Sequence, residues 1–167
     1  RPWAVPGTPG LEHRIGGLEK QDGSGNVCYD PDNHEHMIRT RQRKVDGIAE
    51  TIPQQDVFGD ESGELLVVGW GSTYGAIVSA VESCRAKGMD VSSIHVRYLA
   101  PMPSNLGAIL KRFRRVVVAE MNLGQLLQRL RAAYLVDAVG LNKVQGKPFT
   151  ITEIESCITD MLQGNDR

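Results

Sequence analysis

Between Gly69 and Gly75 the chain reads Gly-Trp-Gly-Ser-Thr-Tyr-Gly, small residues around the hydroxyls of Ser72 and Thr73. A glycine-rich turn that opens a helix presents backbone N–H groups to an anion, so Gly71, Ser72 and Thr73 are candidates to cradle a phosphate. The spacing is GxGxxxG, one residue longer than the dinucleotide fingerprint, and Arg97 stands where a ribose-binding acid would end the next strand. An arginine there suits a 2′-phosphate, while a plain strand-to-helix turn demands the same small residues. Gly71–Gly75 also has the outline of a nucleophile elbow centred on Thr73. A β-branched residue fits that strained backbone poorly, and His95, the only later histidine, falls within a strand. Glu120 and Asn122 follow an apolar run, where they can hydrogen-bond a ligand or cap the next helix.

Other chemistry-bearing residues do not converge. His34 and His36 are two apart on a predicted helix, so they point to different faces, which suits solvated or capping histidines better than metal ligands. His95 reads as a satisfied core histidine. Arg39, Arg41, Arg43 and Lys44 form one basic cluster, and Lys111, Arg112, Arg114 and Arg115 another. Phe113 is the one aromatic within either cluster, and the chain has only nine Phe, Trp and Tyr residues, so solvation or ion pairing is expected rather than a nucleic-acid partner. Cys28, Cys84 and Cys157 are odd in number, far apart and outside any CxxC, which points to thiols in a reducing compartment, the cytoplasm. No residue is assigned a catalytic or metal-binding role.

The elements that must position these residues fall into two parts. Residues 1–33 are rich in Gly, Pro, Asp and Asn and read as an irregular arm with tight turns. A structureless stretch of this length is expected to lie against another domain. Asn33 is the expected N-cap of a helix reaching about Glu50, and Asp56–Gly63 is a polar link. Thereafter strands are expected at Leu65–Gly69, Ser93–Tyr98, Arg115–Glu120 and Val136–Leu141. Helices are expected at Tyr74–Ala86, Ser104–Arg112, Leu123–Ala133 and Thr152–Leu162, the last with a Thr152/Glu155 capping box. Such alternation predicts an α/β fold, a three-layer α/β/α sandwich on a mostly parallel sheet of four or five strands. A fifth, antiparallel strand is expected near Val57 or in the arm. The loops after the strands, Trp70–Gly75, Leu99–Pro103, Met121–Gly124 and Asn142–Pro148, then gather at one edge, where such sheets meet ligands and partners.

Composition agrees with a globular chain. Of 167 residues, 41% are hydrophobic and 23% charged, which excludes disorder and fibre as the main state. The net charge of -1 supplies no field to draw in nucleic acid or an anionic membrane, and no apolar run approaches the roughly 18 residues of a membrane span. The proline-rich start is no signal peptide, and its lack of methionine is expected of a piece of a longer polypeptide.

Five strings occur in order: Pro6–Lys20 (PGTPGLEHRIGGLEK), Gly25–Met37 (GNVCYDPDNHEHM), Gly69–Ala76 (GWGSTYGA), Ala119–Leu126 (AEMNLGQL) and Leu141–Phe149 (LNKVQGKPF). Together they resemble the C-terminal part of the alpha subunit of 2-oxoacid:ferredoxin oxidoreductases, closest to the 2-oxoglutarate type, from about Arg1 to Ile158. The resemblance implies thiamine diphosphate-dependent oxidative decarboxylation of a 2-oxoacid, with ferredoxin reduction and acyl transfer to coenzyme A. It implies a transketolase C-terminal-like domain over residues 34–167, with residues 1–33 linking to an N-terminal pyrimidine-binding domain. Thiamine diphosphate, magnesium and the iron-sulfur cluster are then expected in the full complex and not in this chain, which alone should be inactive. The expected partners are the beta subunit, the N-terminal domain, and, at complex level, ferredoxin and coenzyme A; a homodimer of this chain is a further expectation. A stand-alone nucleotide- or coenzyme A-binding module and a non-catalytic interaction domain remain as alternatives.

Overall fold

The computed structural model describes residues 4–164, so the first three residues of the arm and the last three of the chain lie outside the described range. The chain forms two compact units, Arg1–Thr51 and Ile52–Arg167.

The first unit gathers the arm onto a helix, α1 (Pro31–Asp46), followed by a short 3-10 turn at Gly47–Glu50. This helix starts earlier than expected. Asp30, not Asn33, is its N-cap: the carboxylate accepts from the N–H groups of Asp32 and Asn33, and Pro31 occupies the first turn, where its missing N–H costs nothing. Asn33 instead ties the arm down, its Nδ2 donating to the Lys20 carbonyl and its Oδ1 accepting from the Asp22 N–H. Glu19 accepts both guanidinium nitrogens of Arg41 at 3.0 Å, and Arg41 holds the Glu19 carboxyl down to about 2. The unit that contains the arm therefore extends through α1, past the composition boundary at Asn33. None of its described residues is buried.

The second unit is a four-stranded, all-parallel sheet: β1 (Gly63–Gly69), β2 (Val91–His95), β3 (Phe113–Glu120) and β4 (Ala138–Asn142), in the order β2-β1-β3-β4. Alternate residues serve opposite faces, as the two-residue strand period requires. Leu65, Val67, Val117 and Ala119 pack under α2 (Tyr74–Ala86) and α5 (Ile151–Gln163). Leu66, Val68, Val116 and Val118 pack under α3 (Leu106–Leu110) and α4 (Gln125–Tyr134). The three-layer expectation holds, with α2 as read from the sequence.

Several boundaries move. β2 ends at His95, so Arg97 and Tyr98 leave the sheet, and α3 is shorter than Ser104–Arg112. The capping box of α5 is Thr150 with Glu153, not Thr152 with Glu155: Thr150 Oγ1 accepts from the Glu153 N–H and Glu153 accepts from the Thr150 N–H. In place of a fifth strand the described residues have two isolated antiparallel bridges, Phe58 with Ser93 and Lys20 with Val27. A single pair at Phe58 is all that forms because Gly59, at φ +111, turns the chain away from β2.

Candidate functional site

β1 lies between β2 and β3, and the loops leaving β1 and β3 lead to helices on opposite faces of the sheet. This reversal creates a crevice at the carboxyl ends of β1 and β3, the usual ligand position in open α/β sheets. Gly71, Ser72, Thr73, Glu120 and Asn122 all lie on the two segments that flank it. The structure brings them together and also shows what each does.

Thr73 is almost fully buried and turned into its own loop. Its Oγ1 accepts from the Trp70 N–H at 3.1 Å and donates to the Trp70 carbonyl at 3.0 Å. With φ at -85 it has ordinary helical backbone, so the elbow outline carries no strained nucleophile. Gly71, at φ +61, is the residue that turns the chain, and Gly69 is small for a different reason: a Cβ there would fall 2.3 Å from Ile77 Cδ1. The exposed Ser72 hydroxyl rests 3.4 Å from the Met121 sulfur, which links the first loop to the third.

Glu120 has no solvent exposure, yet its carboxylate accepts four hydrogen bonds. The Leu126 N–H donates to Oε2 at 2.8 Å and the Leu127 N–H to Oε1 at 2.9 Å; Trp70 Nε1 and Asn122 Nδ2 also donate to Oε2. Two of these donors are first-turn amides of α4, groups that lack partners within a helix and favour negative charge. Asn122 completes the cap, its Oδ1 accepting from the Gly124 N–H at 2.7 Å and the Gln125 N–H at 3.0 Å. Both side chains are therefore occupied in capping α4, and the Trp70 indole bridges from the end of β1 to Glu120.

Lys143, in the fourth loop, is a buried cation that sequence reading passed over. Its Nζ donates to both Glu153 oxygens at 2.8 and 2.7 Å and to the Pro148 carbonyl at 3.0 Å, and lies 5.7 Å from the Phe149 ring centroid. Lys143 and the Thr150 N–H hold the Glu153 carboxyl below its usual range. The signal was present in the string Asn142-Lys-Val-Gln-Gly-Lys-Pro148, whose turn residues require an internal anchor.

The histidines divide between those that meet expectation and one that does not. His34 and His36 are exposed, as expected of solvated histidines, and each also pins the arm: His34 Nδ1 meets Glu19 at 2.9 Å and His36 Nε2 meets Asp22 at 2.7 Å. His95 is half-buried beside Tyr74, with Nδ1 buried and unpartnered, so it is not a satisfied core histidine. The basic clusters do form ion pairs: Arg39 with Glu35, Arg41 with Glu19, Arg112 with Glu61 and Arg114 with Glu64. Among the described residues no three His, Cys, Asp or Glu side chains gather in a metal-binding group, and no helix is long and apolar enough to cross a membrane. No disulfide joins Cys28, Cys84 or Cys157, and burial raises the Cys84 thiol above its ordinary value.

Comparison with known proteins gives this geometry a family. The chain is 50% identical over 165 residues to 2-oxoglutarate oxidoreductase subunit KorA of Mycobacterium tuberculosis, covering 98% of this chain and 25% of that protein. It is 30% identical over 159 residues to the alpha subunit of 2-oxoacid:ferredoxin oxidoreductase 1 of Aeropyrum pernix, covering 89% of this chain and 25% of that one. The chain thus spans about a quarter of the length of these relatives. Among solved structures, 2-oxoglutarate:ferredoxin oxidoreductase from Magnetococcus marinus, with 2-oxoglutarate, coenzyme A and succinyl-CoA bound, superposes with a TM-score of 0.87. The identity is 31%, over 97% of this chain and 29% of that one. Residues 63–154, from the start of β1 into α5, match the family described as pyruvate:ferredoxin oxidoreductase core domain II, and the chain belongs to that family.

Proposed function

We propose that this chain is the C-terminal part of the alpha subunit of a thiamine diphosphate-dependent 2-oxoglutarate:ferredoxin oxidoreductase and serves there as an assembly domain. The whole enzyme would oxidatively decarboxylate 2-oxoglutarate, passing the acyl group to coenzyme A and the electrons to ferredoxin. The observation that carries this reading is the 50% identity that runs through 98% of the chain, arm included.

Among the described residues the cysteines and acids gather no set of ligands for the expected metal or cluster. The Glu120 and Asn122 side chains are occupied in capping α4. Thiamine diphosphate, magnesium and the iron-sulfur cluster are then held by the beta subunit and a pyrimidine-binding domain. The carbanion chemistry belongs to the thiamine cofactor when it is bound.

What this chain contributes is surface. Tyr74, Leu123 and Val144, in or just after the strand-end loops, are all exposed. Apolar side chains on rigid loops suit burial against another subunit, so the Trp70–Gly75 and Met121–Gly124 loops would face one. Residues 1–33 would link to the pyrimidine-binding domain, with Pro6–Lys20 lying on it, and residues 34–167 would act as the transketolase C-terminal-like domain. Cysteines outside any disulfide fit a reducing cytoplasm.

The test is a pull-down from source-cell extract with the full-length version of this chain, assayed for 2-oxoacid-dependent dye reduction with thiamine diphosphate and coenzyme A. Co-purification of a second subunit and reduction that requires 2-oxoglutarate is the expected result. No partner and no reduction with any 2-oxoacid would end the proposal.

A further inference from the structure

Among the described residues of the Ile52–Arg167 unit three aromatic side chains are exposed, Phe58, Tyr74 and Tyr98. All three line one cleft of about 400 Å³, beside the free edge of β2 and between the Pro53–Phe58 segment and α2. That size lies within the range of small-molecule sites, roughly 300–1,000 Å³. A single exposed apolar residue needs no explanation, but the gathering of every exposed ring of the unit at one concavity does.

The sheet sets the spacing of two of these rings. Phe58 exchanges two backbone hydrogen bonds with Ser93, at 2.8 and 2.9 Å, and Asn105 clamps the backbone of Gln55 with two more at 2.9 Å. Val91 packs on the α2 side of the sheet and Ile94 on the other, so Ser93 and His95 present their side chains toward α2. Phe58, directly opposite Ser93 in an antiparallel bridge, shares that side. Tyr74, in the first turn of α2, meets the His95 ring edge-on at 5.1 Å. Phe58 and Tyr74 thus stand at positions two strand residues apart, about 7 Å along β2. One planar ring in van der Waals contact with a wall on either side, about 3.5 Å from each, spans the same distance.

The cleft also holds a polar ring without a protein partner. Among the described residues nothing hydrogen-bonds the His95 imidazole, and its Nδ1 is buried, which leaves Nε2 to meet a ligand. Burial, with Arg97 nearby, lowers the His95 pKa, so the imidazole is neutral near pH 7 and donates or accepts according to its tautomer. Aromatic walls with one neutral hydrogen-bonding group between them are complementary to a flat ring that carries a polar atom on its edge.

We propose that this cleft binds a planar nitrogen heterocycle, its faces between Phe58 and Tyr74 and its ring nitrogen toward His95. The proposal does not depend on the oxidoreductase reading. Tyr74 also borders the strand-end surface proposed for assembly, so the cleft lies at the margin of that surface and binding is measured on the full-length subunit.

The test is a ligand-observed NMR titration with nicotinamide. Benzamide, which lacks the ring nitrogen, and cyclohexanecarboxamide, which lacks the planar ring, serve as comparators. Nicotinamide should bind saturably, benzamide about fivefold more weakly for the lost hydrogen bond, and cyclohexanecarboxamide more weakly again for the lost stacking. Phe58→Leu and Tyr74→Leu keep an apolar side chain but remove a ring, and each should weaken nicotinamide about fivefold while leaving cyclohexanecarboxamide unchanged. His95→Phe should erase the preference for nicotinamide over benzamide. Tyr29→Leu removes an exposed ring from the other unit and should change nothing. Phe58 and Tyr74 are exposed, so their variants are expected to fold, and thermal melting checks all four. Failure of nicotinamide to bind saturably, a saturated ring bound as tightly as the planar one, leucine variants that bind like the parent, or a His95→Phe variant that keeps the preference would each overturn the proposal.

Discussion

Glu120 concentrates the chemistry of the sheet edge in one side chain. A carboxylate without solvent contact persists only with a full set of donors, and its four come from three separate places: the Trp70 indole, Asn122, and the opening turn of α4. Glu120→Ala should therefore cost on the order of 3 kcal/mol, because it leaves buried N–H groups unpaired, whereas Asn122→Ala should cost about 1 kcal/mol. Urea denaturation of the chain checks this, and equal effects for the two variants would contradict the buried-cap account. The glycines of the first loop make a second contrast. Gly71→Ala meets no atom within 4 Å and should lose only the cost of a positive φ, about 1 kcal/mol. Gly69→Ala drives its Cβ into Ile77 and Thr73 and should lower the melting temperature more. The sequence placed Glu120 and Asn122 at the end of a strand, because an apolar run ending in polar residues marks that position. It could not show that the Glu120 carboxylate is consumed, since the donors from residues 70, 126 and 127 converge only once β1 and β3 pair.

At the scale of elements, legibility followed the strength of local punctuation. α2 was readable to the residue because Gly69–Gly75 opens it and Gly88 follows its end. β2 was misplaced because Val96 extends the apolar run; its N–H still bonds the Gly69 carbonyl at 2.8 Å, but the pairing then stops. The α5 cap was ambiguous because Thr150-x-x-Glu153 and Thr152-x-x-Glu155 have the same spacing. Tertiary structure decides between them: Lys143 grips Glu153, and Phe149 is buried next to it. The Lys143 contact also sets a pH dependence. The folded Glu153 pKa lies below its usual value of 4.5, so its stabilising contribution is complete above that value and is lost as pH falls through the folded pKa. Melting temperatures of the parent and Glu153→Gln should differ at neutral pH and converge in acid; a difference that stays constant to low pH would show that the ion pair is not responsible. α4 ends less favourably, on Leu135 at φ +53 with 90% of its surface exposed. Leu135→Gly should raise stability by up to about 1 kcal/mol in the same melts, since a left-handed cap favours glycine and no packing is lost.

For the molecule as a whole, the contrast between the two units matters more than either fold. The Ile52–Arg167 unit has apolar cores on both faces of its sheet, whereas no described residue of the Arg1–Thr51 unit is buried. A 16-residue helix and an irregular arm cannot offset their ordering entropy by ion pairs of the exposed kind, each worth about 1 kcal/mol or less. Val5, Leu11, Ile15 and Tyr29 are all more than half exposed, so the arm carries its apolar groups outward, as a surface that another domain covers would. This is the physical basis for the proposal that Pro6–Lys20 lies on a pyrimidine-binding domain, and it gives a test at this scale. In the full-length subunit, deletion of Pro6–Lys20 should reduce recovery of the partner subunit in a pull-down and increase protease sensitivity around α1. Arg41→Met, which releases Glu19 but leaves every apolar group of the arm in place, should have a smaller effect on recovery. If deletion leaves association unchanged, the arm does not serve assembly; if Arg41→Met matches the deletion, the ion pair with α1 rather than the apolar surface is what the partner requires.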